Sequence, residues 1–323
     1  MREIAMSRHA EAPDAVLLGS APTTLLGALD ERFADAVVHP HLEKLPDGEV
    51  LVSIGRSLRG RSAYVVHTLG SPVGEHLLQL ALICDAARRA GAEELIALIP
   101  YLGYARHDRR AHEDEPLGAA VVARLLSTCS FSRVVTVDLH APSIEGFFSC
   151  PLENVTAEPI LAEVLLPFAE NGVIVSPDLG AAKLARRYAA RLGLPLAVVQ
   201  KSRIGPRNVV AHEIVGDVRG KRPVIVDDLI STGATVVSAL DSVLAAGALS
   251  EAVVAATHGV FAPGSEALQA DERIRALVVT DSVEPITVGG RANLRQVALA
   301  PLLAEVMTRL IEKRSLAGLV GVA

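Results

Sequence analysis

The chain has 323 residues, half of them apolar, only 3% aromatic, with a net charge of −6. That length suits two domains of ordinary size built on Val, Leu, Ile and Ala, and the acidic balance argues against a general polynucleotide binder. No apolar run approaches the ~20 residues that span a bilayer, Met1 to Pro13 is charged and lacks the apolar core of a secretion signal, and the scattered Cys84, Cys129 and Cys150 suit neither a disulfide framework nor a cysteine zinc site; a soluble cytoplasmic protein is expected.

In chain order, Ala15 to Leu18 reads as a strand and Pro22 opens a helix to about Phe33. Ala63 to His67 is a strand, and Gly74 to Ala90 is a helix with an apolar face of Leu77, Leu78, Leu80, Ala81 and Cys84. Glu94 to Pro100 is a strand, Leu117 to Cys129 a helix and Val134 to Val137 a strand. The second half repeats this plan. Helix Pro159 to Ala169 is followed by strand Val173 to Val175, helix Leu179 to Leu192 and strand Leu196 to Val199. Gln200 to Asn208 is basic, rich in Gly and Pro, aperiodic, and reads as a mobile loop. Strand Val224 to Val226 leads to helix Val236 to Ala246, closed by Gly247; then come strands Ala252 to Ala256 and Ala276 to Val279 and helix Pro301 to Lys313. Alternating strands and helices imply parallel sheets. The expectation is an α/β protein of two similar doubly wound parallel-sheet domains, 1–151 and 152–299, with 300–323 packing back on the first.

Polar segments follow several of these strands, where open α/β sheets bind ligands. Leu45-Pro46-Asp47-Gly48-Glu49 lies early in the first half. Tyr101 to Arg110 packs three arginines and His107 beside two tyrosines, which suits a polyphosphate clamp or a solvated basic loop. Asp138 and His140, two apart in an extended chain, would point the same way; a lone histidine is usually structural, but His140, at a strand end beside an aspartate, is a candidate metal or phosphate ligand. Asp178 precedes a helix, as a ligand or as its N-cap. Lys201 and Arg203 sit in the basic loop, where closure over polyphosphate competes with a plain surface role.

The most informative stretch is Val224 to Thr235. A short β-branched run ends in Asp227 and Asp228, and a hydroxyl-rich turn of Ser231, Thr232, Gly233, Ala234 and Thr235 opens a helix. Free N–H groups at a helix N-terminus bind phosphate, a carboxylate accepts hydrogen bonds from both hydroxyls of a ribose diol, and Gly233 lets the backbone approach closely. The pattern suits a ribose 5-phosphate unit, with a solvated Asp pair before a capped helix as the bland alternative.

This stretch resembles the phosphoribosyl-diphosphate (PRPP) motif shared by phosphoribosyltransferases and PRPP synthetases. Leu45 to Glu49, Pro100 to Arg110, Asp138 to His140 with Gly146-Phe147-Phe148, Ser176-Pro177-Asp178, the Lys201/Arg203 segment and Pro301 to Glu305 extend the likeness along nearly the whole chain. Together they resemble the PRPP synthetase (ribose-phosphate diphosphokinase) family, with two domains like type I phosphoribosyltransferases. The resemblance implies transfer of the diphosphoryl group of ATP to ribose 5-phosphate. It implies ATP binding by Arg106, His107 and Asp108, and by Asp47 and Glu49 from a neighbouring subunit of a homo-oligomer, a dimer or a hexamer. It implies Mg²⁺ at His140 and Asp178, transition-state stabilisation by Lys201 and Arg203, and ribose 5-phosphate at Asp227, Asp228 and Ser231 to Thr235. The chain departs from many members at Leu45, where they have Phe, at His107, where they have Gln, and at Ser231, where they have Asp. Its acidic Ala111 to Pro116 replaces a basic regulatory segment. The alternatives are a phosphoribosyltransferase and a catalytically silent regulatory subunit.

Overall fold

The computed structural model describes residues 14–204, 209–284 and 293–321, and only the backbone at 201–204 and 209–212. The first half runs β1 (Ala15–Leu18), α1 (Thr23–Arg32), β2 (Val37–Val38), β3 (His41–Lys44), β4 (Val50–Ser53) and β5 (Ser62–Val66). It continues with α2 (Val73–Arg89), β6 (Glu94–Ile99), α3 (Gly118–Ser127), β7 (Arg133–Val137) and β8 (Leu152–Val155). The second half begins with α4 (Glu158–Leu165), β9 (Gly172–Ser176), α5 (Ala182–Leu192), β10 (Leu196–Ile204), β11 (Val209–Val215) and β12 (Arg222–Ile230). It ends with α6 (Ala234–Ala245), β13 (Ala252–Gly259), α7 (Glu266–Ala270), β14 (Ile274–Thr280), β15 (Leu294–Val297) and α8 (Ala300–Ile311).

Two sheets result. The first, in the order β2-β1-β5-β6-β7-β8, is parallel throughout. The second, β11-β10-β9-β12-β13-β14-β15, is parallel except for the antiparallel pair β10–β11. Helices cover both faces of a parallel sheet, so its central strands carry uninterrupted apolar runs; every residue of β1, β9 and β13 is buried.

The two sheets share one inner helical layer. Val16, Val66, Leu98 and Val135 of the first sheet and Ile174, Val224, Val253 and Val278 of the second belong to a single core. Leu25 of α1, Leu161 of α4, Tyr188 of α5 and Val306 and Met307 of α8 fill its middle. The outer faces pack separately, the first against α2 and α3, the second against α6. The last helix, α8, packs on α1. The tail beyond it forms an antiparallel bridge from Val320 to Val155, and its Leu319 carbonyl accepts the Thr156 N–H at 2.8 Å. Among the described residues no helix is long and apolar enough to cross a membrane.

Three departures from the expected elements bear on the site and its surroundings. Residues 200–204 are not loop: β10 continues through Ile204 and pairs with β11. Cross-strand pairing there overrides a composition that reads as aperiodic. Residues 205–208 lie outside the described residues, as do the side chains of Lys201 and Arg203. The short antiparallel hairpin β3–β4, with Leu45 to Glu49 at its turn, has no counterpart among the predicted elements. Lastly, β8 pairs with β7, so the first sheet reaches past the boundary expected at residue 151.

Candidate active site

The C-terminal ends of β7, β9 and β12, with the loop after β6, enclose a cleft of about 670 Å3. Its walls bring together Arg106, Asp108, His140, Asp178, Asp227, Asp228 and the whole run Ser231 to Thr235. Two sheets therefore contribute to one site.

The phosphate loop forms because Gly233 adopts φ +77° just before α6. A Cβ there would lie 2.6 Å from a Leu268 side-chain carbon, so both conformation and space require glycine. Thr232, Ala234 and Thr235 line the same wall, and the Ala234 N–H, in the first turn of α6, reaches the Thr232 hydroxyl at 3.5 Å; N–H groups at a helix N-terminus suit a phosphate.

β12 extends to Ile230, so the acidic pair lies within the strand and not after it. Asp228 Oδ2 lies 2.8 Å from His140 Nδ1 across the cleft, and the Asp228 N–H donates to Asp227 Oδ1 at 2.9 Å. The carboxylate can only accept, so His140 donates through Nδ1. Burial pushes the Asp227 carboxyl well up, helped by the neighbouring charges of Asp228 and Asp178. Burial also works against ionised Asp228, but the hydrogen bond and positive charge of His140 outweigh it and hold Asp228 below the usual range. The same bond raises His140, against the opposing effect of burial.

Asp138 lines the cleft beside His140, but one of its carboxylate oxygens is committed to the fold. The strand ends at Val137, Asp138 turns with φ +40°, and its Oδ2 accepts the Ala157 N–H at 2.9 Å and the Thr257 hydroxyl at 2.7 Å. It anchors the turn. Asp178 Oδ1 accepts the Ala181 N–H at 3.1 Å ahead of α5, and the residue also lines the cleft.

These residues fit a divalent cation. A metal-binding histidine characteristically donates its second ring N–H to a carboxylate, and His140 does so to Asp228, leaving Nε2 free to ligate. Asp178 keeps a second carboxylate oxygen. Among the described residues no group of three or more His, Cys, Asp and Glu could hold a metal. Such a partial donor set suits a hard cation that completes its shell with substrate oxygens and water.

Other predicted residues stand apart. His107 is exposed and lies against Tyr104, with ring centroids 5.9 Å apart, and against the start of α3, so it does not line the cleft. Asp47 and Glu49 are exposed at the hairpin turn, outside the cleft of their own chain. Asp47 Oδ1 accepts the Glu49 N–H at 3.1 Å, and Gly48 has φ +94°, which is turn chemistry.

The sequence reading missed Lys183 and Arg187, which line the cleft one helical turn apart on α5. Buried Glu158 holds Arg187 through its Nε at 2.8 Å. Their i, i+4 spacing just after Asp178 was the available signal.

Two parallel sheets that share a cleft, with a carboxylate pair over a hydroxyl-rich phosphate loop, define a phosphoribosyl-handling α/β protein. The profile described as the N-terminal domain of ribose phosphate pyrophosphokinase matches residues 15–129, and that of the phosphoribosyl transferase domain matches residues 158–279. The chain is 38% identical to the ribose-phosphate pyrophosphokinase of Agrobacterium fabrum over 307 residues, 94% of this chain and 99% of that one. It is 37% identical to that of Caldanaerobacter subterraneus over 308 residues, 94% of this chain and 96% of that one. The crystal structure of phosphoribosylpyrophosphate synthetase from Mycobacterium smegmatis matches with a TM-score of 0.85 at 32% identity, covering 94% of this chain and all of that one. The chain belongs to the ribose-phosphate pyrophosphokinase family.

Proposed function

We propose that this protein transfers the diphosphoryl group of ATP to the anomeric hydroxyl of ribose 5-phosphate, giving PRPP and AMP for nucleotide biosynthesis. The observation that carries this reading is the placement of Asp227 and Asp228 beside the Ser231–Thr235 loop, facing Arg106 and His140 from the other sheet across one cleft. The loop takes the 5-phosphate and the aspartates take the ribose hydroxyls. That leaves the anomeric oxygen toward the side where Arg106 and Asp108 hold the nucleotide.

The anomeric oxygen attacks the β-phosphorus; that O–P bond forms as the bond from the β-phosphorus to the bridging oxygen of AMP breaks. Such transfers depend on alignment and charge neutralisation more than on covalent help, so no side chain has to be a nucleophile. Mg²⁺, held through His140 Nε2 and Asp178, would supply charge neutralisation at the phosphate oxygens. Lys201 and Arg203, whose side chains lie outside the described residues, would neutralise the transferring group from β10. Asp47 and Glu49 project away from their own cleft, which supports a nucleotide site completed by a neighbouring copy in a homo-oligomer, a dimer or a hexamer. His107, outside the cleft, would act on the nucleotide only through the loop that carries Arg106.

Release of AMP from ATP, measured with and without ribose 5-phosphate, tests this function. AMP should form only with the sugar phosphate, in equal amount with PRPP, and Lys201→Ala should lower kcat by on the order of 100-fold with the sugar-phosphate KM little changed. Binding of both substrates without turnover would instead indicate a silent regulatory subunit.

A further inference from the structure

We propose that His258 is a positioning residue: from the second sheet it clamps the turn of the first sheet that carries His140, so that docking of the two sheets sets the His140–Asp228 pair. This rests on the function proposed above and names a residue outside its binding set.

His258 is buried on β13. Its Nε2 lies 3.0 Å from the carbonyl oxygen of Val137, the last residue of β7. A carbonyl only accepts, so Nε2 carries the proton. Nδ1 lies 2.8 Å from the Ser282 hydroxyl, and a neutral ring accepts that bond. Burial disfavours a second proton on the imidazole. The adjacent Thr257 donates its hydroxyl to Asp138 Oδ2 at 2.7 Å. Leu139 donates its N–H to Asn154 Oδ1 at 2.9 Å. Val137, Asp138 and Leu139 are thus each tied down, the first two by β13, and His140 comes next.

The register explains why this matters for the site. β13 pairs in parallel with β12, with Asp227 opposite Ala256 and Leu229 opposite His258. Asp228 lies between those two pairs. The clamp and the carboxylate that receives His140 therefore stand on one rigid pair of strands, and the turn from the first sheet plugs into both. Ser282, the other partner of His258, is itself bound to the first sheet's side, where its carbonyl accepts the Thr68 hydroxyl at 2.7 Å. The ring of Tyr101, which also lines the small space behind His140 and Asp228, sits 5.0 Å from that of His258. Without His258 the turn loses the bond at its base, keeps only the Thr257–Asp138 bond from β13 besides the first sheet's own contacts, and holds His140 less firmly relative to Asp228.

The test compares His258→Leu, which removes the donor, with His258→Gln, whose amide N–H can reach the Val137 carbonyl. In substrate-free protein, NMR should show the hydrogen-bonded Nδ1 proton of His140 in the wild type and in His258→Gln but not in His258→Leu. This readout stands whether or not the protein makes PRPP, so its failure is distinct from failure of the functional reading. In the AMP-release assay, His258→Leu should lose at least about tenfold in kcat, since a misplacement of ~1 Å costs up to about 100-fold. KM for ribose 5-phosphate should hold, and His258→Gln should recover most of the rate. An intact His140 resonance in folded His258→Leu overturns the proposal. So does a rate loss in both variants that only follows their loss of thermal stability. If His258→Leu does not fold, His258→Phe, which keeps a ring but removes the donor to the Val137 carbonyl, takes its place, and an unchanged His140 resonance there overturns the proposal equally.

Discussion

Asp228 stands where two requirements meet. One carboxylate oxygen holds His140, and the residue lines the cleft beside the Ser231–Thr235 loop, where the proposed function needs the ribose hydroxyls. Because the carboxylate favours the imidazolium form, it raises His140 above its ordinary range. An amide offers no such preference. Asp228→Asn should therefore bring the His140 pKa down toward its ordinary value, followed by imidazole NMR on metal-free protein, and weaken ribose 5-phosphate binding by about tenfold or more with ATP binding retained. Calorimetry showing equal loss of both ligands would make Asp228 a general structural residue. The same pair carries a second consequence. A ligating imidazole must be neutral, so protons compete with the metal wherever His140 titrates, and Asp228 places that competition at higher pH than a free histidine would.

At the level of elements, the phosphate loop was the most legible part. A β-branched run, two carboxylates and a Thr-Gly turn before an Ala-rich helix announce themselves in one continuous stretch, and β12, the turn and α6 follow that order. Strand positions in the central sheets were equally plain, because parallel strands buried on both faces show unbroken apolar runs. Asp178 was visible as a cap or a ligand, and the structure gives it a bond to the Ala181 N–H and a place in the cleft wall. What escaped was set by distant partners. Residues 200–204 become strand because β11 lies beside them, and one oxygen of Asp138 is tied up because Thr257, 119 residues on, donates to it. The β3–β4 hairpin was missed because its strands are short and largely exposed. That exposure yields a prediction. Replacing Leu45 to Glu49 by an Asn-Gly turn should leave thermal stability nearly unchanged, since the hairpin tip buries little, while raising KM for ATP severalfold if the turn completes a neighbour's site. An unchanged KM would remove Asp47 and Glu49 from nucleotide binding.

For the whole molecule, acid stability has an identifiable source. His67 is fully buried behind β5, and its Nδ1 accepts the Ser20 N–H at 3.0 Å. Burial, and then the nearby His76, bring its pKa down to about 3. The unfolded imidazole binds a proton near pH 6.5, so above that pH the two states hold the same number of protons. As pH falls from there toward 3, the unfolded state gains a proton that the folded state refuses, and stability is lost at about 1 kcal/mol per pH unit. Urea unfolding of the wild type and of His67→Gln at several values between pH 7 and 4.5 should show a shallower decline in the variant. Parallel slopes would assign the acid sensitivity to other groups. Because α1, α4, α5 and α8 fill one core shared by both sheets, that loss is felt by the whole molecule and not by its first half alone.

The tail that closes the first sheet also bears on how the protein can be handled. Gly321 donates its N–H to the Asn154 carbonyl at 3.0 Å and forms part of the cleft wall, near Lys183 and Arg187. A linker added to this tail follows a segment whose Gly321 is itself part of the cleft wall, and a linker drawn taut pulls on the bridge from Val320 to Val155.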